Sequence, residues 1–248
     1  MGARTDRTSD PALQRALLLA RHGQAYFART VHRLSDEEFD APSLLPGWNR
    51  RHVIAHVGLN ARALTRLIEW ADTGVETPMY SSPGQRAEEI DLAATLAPQA
   101  LRNLCDHAAI HLSVEWRDLP DERWSNLVRT AQGRTVPASE TVWMRTREVW
   151  MHAVDLASGA AFADFPPELV DALLADVRAS WARRAATEEL PEFVFEPTDR
   201  LSTTAEPHPG VVVVSGPAAA LASWATGRGG AGVERAGGGT LPAPPRWL

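Results

Sequence analysis

Glu148 and His152 stand four residues apart in residues 139–156, SETVWMRTREVWMHAVDL, a stretch with no glycine or proline. Good helix formers dominate it, and Val142, Val149, Met151, Val154 and Leu156 give it an apolar side. Four residues is about one helical turn, so the carboxylate and the imidazole leave one face with Cβ atoms about 5–6 Å apart. Burying such a pair is costly unless something compensates it, and a divalent metal ion is one such partner. His56 supplies a third candidate ligand, from a second helical stretch whose Val53 and Val57 predict a face turned toward the later helix. Two imidazoles and one carboxylate are the usual inventory of a catalytic zinc with an open position. Glu-x-x-x-His also arises often by chance. The same spacing is satisfied by a hydrogen-bonded buried cluster or by an exposed helix pair.

Other residues compete for attention. His52 lies one turn before His56 and reads as a rim or supporting residue. His107 and His111 form another pair four apart, but Arg102, Asp106 and Glu115 nearby favour a solvated face. Cys105, the single cysteine, reads as a small core residue, since no adjacent motif would activate a thiol. Arg86, Arg134 and Arg228 could bind anions. Arg228 is the most suggestive, because flanking glycines let a ligand approach the backbone and a guanidinium grips a carboxylate in bidentate fashion.

Four long helices are expected to position these residues. The first runs from the Thr8-Ser9-Asp10-Pro11 start to about residue 34, and the second over residues 50–72, closed by Thr73-Gly74. Ser35-Asp36-Glu37-Glu38 reads as a cap followed by acidic residues, and residues 39–48 and 76–85 as loops. A shorter helix is expected over residues 86–96, and a long one from Pro98 to about residue 117. Residues 119–133 are mixed, and residues 133–137 read as a tight connection before the helix at 139–156. Long helices joined by irregular loops favour a four-helix bundle over residues 1–160, and bundle cores are common metal sites. After a linker at 162–167 comes a small α+β domain, 166–248. It holds a helix from Pro167, strands at 193–195 and 211–214 separated by a Pro- and Thr-rich turn region, a short helix at 217–226 and a Gly/Pro-rich tail.

Composition narrows the function classes. With 44% hydrophobic and 23% charged residues the chain is of ordinary globular type. A net charge of −6 without a basic run argues against nucleic-acid and anionic membrane surfaces. No apolar run is long enough to span a bilayer, and the polar N-terminus carries no visible signal peptide. A lone cysteine excludes an intramolecular disulfide, so a cytoplasmic protein is expected.

Several segments, taken together, resemble one family. GWNRRHVIAHVGLNA, ETPMYSSP, AQGRTVPASETVWMRTREVWMHAVDL, the Gly227-Arg228-Gly229 turn and the ending PPRWL are similar to mycothiol-dependent maleylpyruvate isomerase. The likeness runs in order over nearly the whole chain and is weakest at the first ten residues and at 188–209. It implies a DinB-like metal-binding four-helix bundle followed by the family's small α+β domain. It implies Zn2+ held by His56, Glu148 and His152, with Arg228 as an active-site arginine; Arg86 and Arg134 receive no role from it. The implied reaction is the cis-trans isomerisation of maleylpyruvate to fumarylpyruvate, in gentisate-type aromatic degradation. The implied partners are a small dicarboxylate and the low-molecular-weight thiol mycothiol, with the protein a monomer or weak homo-oligomer. A thiol-dependent S-transferase on the same fold, or a non-enzymatic metal-binding regulator, are the competing readings, because fold does not fix function.

Overall fold

A proline or an oxygen-bearing cap opens most of the long helices in the computed structural model, which describes residues 5–82, 84–200 and 210–247. Helix α1 (Pro11–Arg33) begins where the Asp10 carboxylate accepts from the Ala12 amide at 2.8 Å, with Pro11 in the first turn. Helix α2 (Arg50–Thr73) begins where the Asn49 side chain accepts from the His52 amide. It stops at Gly74, whose φ of 76° is the left-handed geometry a helix end needs and glycine adopts without strain. Between them Ser35 and Glu38 cap each other reciprocally, the Ser35 amide donating to the Glu38 carboxylate at 2.8 Å, ahead of a 3-10 turn at Glu37–Asp40. Helices α3 (Gln85–Ala94), α4 (Pro98–Asp118) and α5 (Glu140–Asp155) complete the first unit, Met1–Ala160.

The four long helices form a bundle in which α2 packs on α4 and α5, and α1 packs on α5 and α4. Their apolar stripes meet in a core that includes Leu17, Leu64, Leu67, Ile68, Leu112, Trp116 and Val142. Helices α1 and α5 approach closely at Gly23. A Cβ on Gly23 would lie 2.4 Å from the indole nitrogen of Trp150, which donates to the Leu19 carbonyl and stacks on Tyr26. Residues 119–137, read from sequence as mixed structure and a tight connection, contain a hairpin. Strands β1 (Leu127–Arg129) and β2 (Thr135–Pro137) pair antiparallel and bury only Val128 and Val136. Three-residue strands show a single alternation, too little for periodicity to reveal.

The second unit, Ala161–Leu248, holds α6 (Pro167–Arg184), β3 (Phe193–Pro197), β4 (Val212–Gly216), α7 (Ala218–Ala225) and β5 (Glu234–Arg235). Its sheet order is β3-β4-β5, with β3 and β4 parallel and β5 antiparallel to β4. Parallel pairing makes the β3–β4 connection a crossover rather than a hairpin. Most of the Pro- and Thr-rich turn region expected there, residues 201–209, lies outside the described residues, as do Pro83 and Leu248. Trp181, Phe193, Phe195 and Trp224 form an aromatic core with centroids 5.2–6.3 Å apart. The indoles of Trp181 and Trp224 donate to the carbonyls of Pro245 and Pro242, fastening the Pro-rich tail to the unit. Residues 162–167 do not form the expected linker. They make a 3-10 turn that packs on α7, with Phe162 and Phe165 buried against each other. Among the described residues no helix is long and apolar enough to cross a membrane.

Candidate metal centre

His56 projects from the second turn of α2, and Glu148 and His152 from successive turns of α5. Two buried arginines fix these helices on either side of the three side chains. The Arg50 guanidinium, at the start of α2, donates to the carbonyls of Leu156 and Ala157 at the end of α5, at 2.6 and 2.8 Å. Arg145, one turn before Glu148, donates to the Val57 carbonyl at 2.7 Å, to Asn60 at 2.9 Å and to Gln24 of α1 at 2.7 Å. Burial lowers the Arg145 pKa to about 10, so the guanidinium stays charged at neutral pH.

His56 Nε2 lies 2.8 Å, and His152 Nε2 3.1 Å, from one oxygen of Glu148, Oε2. The two imidazoles stand nearly perpendicular, with centroids 4.8 Å apart. One donor atom from each of the three residues falls within 4.8 Å of the others. Exposure rises across the group, from 5% for the His56 side chain to 12% for His152 and 25% for Glu148, so the cluster opens on its carboxylate side. His152 Nδ1 is held by Asp155 at 2.9 Å, and the Asp155 side chain is wholly buried. Both nitrogens of this ring therefore face carboxylates. Burial pulls the His152 pKa down, but Asp155 and Glu148 outweigh it and push it up to about 9. Burial likewise opposes the Glu148 charge, yet the two imidazoles hold the carboxyl well below its ordinary range. At His56 burial wins over the pull of Glu148, and the pKa is lowered.

The donor set fits a divalent ion. Ligands about 2.0–2.2 Å from a tetrahedral zinc lie about 3.3 Å apart, so the 2.8 and 3.1 Å separations need to open by only a few tenths of an ångström. The carboxylate on His152 Nδ1 is the customary support for a metal-binding imidazole. Among the described residues three side chains make up the cluster, two imidazoles and one carboxylate.

The remaining candidates fall into place around this cluster or away from it. His52 is bound through Nδ1 to Asn49 at 2.5 Å and sits 3.9 Å from Asp91, stacked beside Trp48. Trp48 also lies over His56, with ring centroids 5.5 Å apart. His107 and His111 are exposed, His111 pairing with Glu115 at 3.4 Å. Cys105 is buried and donates to the Ile54 carbonyl; burial pushes its thiol up to about 12. Arg134 is exposed in the connection between β1 and β2. Arg228 lies in the second unit between Gly227 and Gly229, both of positive φ, and donates to the Thr226 carbonyl at 2.7 Å. Arg86, given no role from sequence, reaches the cluster: its Nη2 is 3.3 Å from His56 Nδ1, and Tyr80 hydrogen-bonds it. Asp155 and Arg145 escaped notice. Their spacing of three residues from His152 and Glu148 was the available signal.

A model of the mycothiol maleylpyruvate isomerase N-terminal domain matches residues 20–157. A solved structure of the mycothiol-dependent maleylpyruvate isomerase is 46% identical, with a TM-score of 0.87 over 98% of this chain and all of the other. The chain belongs to this family of isomerases. A second structure, of a mutant of the mycothiol-dependent maleylpyruvate isomerase with one histidine changed to alanine, is 45% identical over the same shares, again with a TM-score of 0.87. No curated protein gives a significant match. Identity at this level over the full length places both units, helical bundle and small α+β domain, within the maleylpyruvate isomerase fold.

Proposed function

We propose that this chain isomerises maleylpyruvate to fumarylpyruvate with mycothiol as the thiol, around a Zn2+ ion held by His56, Glu148 and His152. The observation that supports this reading most is the convergence of those three side chains from two helices of the bundle. The cis double bond of maleylpyruvate is conjugated to a carbonyl. A thiolate that adds to it pushes the electron pair onto that oxygen, leaving a single bond that rotates. Return of the pair expels the same thiolate and leaves the trans isomer, so no atom is gained or lost. When bound, zinc supplies a Lewis acid that makes a coordinated thiol a thiolate near neutral pH.

The protein's own groups serve that chemistry in separate ways. Cys105, buried and with its pKa pushed up to about 12, offers no competing nucleophile, which accounts for a borrowed thiol. Asp155 holds the His152 ring in one orientation. Trp48 packs at a tilt beside the His56 ring. Arg228 binds a carboxylate or the enolate oxygen of the dicarboxylate substrate. A free thiol cofactor and an unpaired cysteine fit a reducing cytoplasm.

The test is the absorbance change of maleylpyruvate mixed with zinc-loaded protein, with and without mycothiol. Turnover is expected only with the thiol, and is expected to disappear after chelation and in His56→Ala. Full turnover in His56→Ala would contradict the proposal. A stable mycothiol conjugate accumulating in place of fumarylpyruvate would instead favour an S-transferase.

A further inference from the structure

We propose that Arg86 is a second anchor for a substrate carboxylate, held on His56 while the site is metal-free and released when a metal ion binds. The inference rests on the metal assignment proposed above. A guanidinium has only donors, so at 3.3 Å from Arg86 Nη2 the His56 Nδ1 atom presents its lone pair. The one N–H of a neutral His56 ring is then on Nε2, where it donates to Glu148 Oε2 at 2.8 Å. Nε2 is also the atom that shares Glu148 with His152 Nε2, and hence the one placed to bind a metal. A ring nitrogen binds a metal through a lone pair, so metal at Nε2 moves the proton to Nδ1. Two donors, Nδ1–H and the guanidinium, would then face each other, and that contact cannot persist.

What the guanidinium does next follows from its surroundings. Among the described residues Arg86 has no carboxylate partner; its other bond is to the Tyr80 phenol. It is partly exposed, on the first turn of α3, and its guanidinium lies beside the His56 ring. A cation without a counter-ion beside a site that takes a dianion is placed to receive one of its carboxylates.

The experiment compares wild type, Arg86→Gln and Arg86→Lys in two binding measurements. Zinc affinity is read by competition with a chromophoric chelator, and maleate binding to zinc-loaded protein by calorimetry. Removing the guanidinium removes a bond that must break and a cation near the ion, so Arg86→Gln is expected to bind zinc several-fold more tightly. It is expected to bind maleate about tenfold or more weakly, with the KM for maleylpyruvate rising and that for mycothiol not following. Arg86→Lys, which keeps the charge without the fork, is expected to recover part of the maleate affinity. Unchanged or weaker zinc binding by Arg86→Gln, unchanged maleate binding, or no recovery by lysine would overturn the proposal. Failure of the wild-type protein to bind zinc would instead fall on the proposed function.

Discussion

His152 is the residue at which the electrostatics of the site are most concentrated. Both of its ring nitrogens face carboxylates, Asp155 on one side and Glu148 on the other, and its pKa is pushed up from 6.5 to about 9. In the metal-free protein it is therefore protonated at pH 7. A metal ion can take Nε2 only after that proton leaves. Zinc binding at pH 7 is accordingly expected to release about one proton from this ring. The apparent affinity is expected to rise about tenfold per pH unit until pH approaches about 9, then to level off. Calorimetry in two buffers of different ionisation enthalpy reads the proton count directly; no buffer dependence would contradict it. The sign for stability is the reverse: the pairing of charged His152 stabilises the metal-free fold fully below pH about 6.5, and that contribution fades as pH rises through about 9. The three clustered residues were legible in the sequence because four-residue spacing on a helix and one further histidine suffice to suggest them. Arg86 was not, because its contact with His56 spans thirty residues of chain and depends on how an irregular segment returns to the bundle. Asp155 is set apart from other acids at helix ends by its burial, which the sequence does not show.

At the scale of elements, the helices were readable and the short strands were not. Helical period, Pro11 and Pro98 in first turns, and Gly74 past an end all act locally, so they survive in the sequence. The strands of the hairpin at 127–137 are too short to show a period, and the two-residue strand β5 owes its existence to pairing with the more distant β4. The 3-10 turn at Phe162–Asp164 is similar: its Pro-rich neighbourhood suggests a linker, and only packing on α7 reveals two core phenylalanines. Packing also decides what Gly23 must be. In an exposed helix, alanine would be about 1 kcal/mol more favourable than glycine. Here the added Cβ would sit 2.4 Å from the Trp150 ring, which is fixed by its bond to Leu19 and its stack on Tyr26. Gly23→Ala is therefore expected to destabilise the bundle by about 1–3 kcal/mol, seen as a lower urea midpoint at constant slope. A midpoint raised by the better helix former would show that α1 and α5 can separate at no cost.

For the whole molecule, composition excluded more than it specified. A net charge of −6 and one cysteine argue against nucleic-acid surfaces and disulfide scaffolds, and among the described residues no helix is long and apolar enough to cross a membrane; none of this names a reaction. The reaction class came from segments spread in order along the chain, and the full-length likeness to maleylpyruvate isomerase structures bears out that family. The chemistry proposed here depends on a metal ion with three protein ligands and a position left for sulfur. X-ray absorption at the zinc edge of the loaded protein, before and after mycothiol, measures that directly. A shell of nitrogen and oxygen alone is predicted at first, with a sulfur scatterer at about 2.3 Å appearing once the thiol is added. An unchanged nitrogen and oxygen shell under conditions of turnover would contradict it.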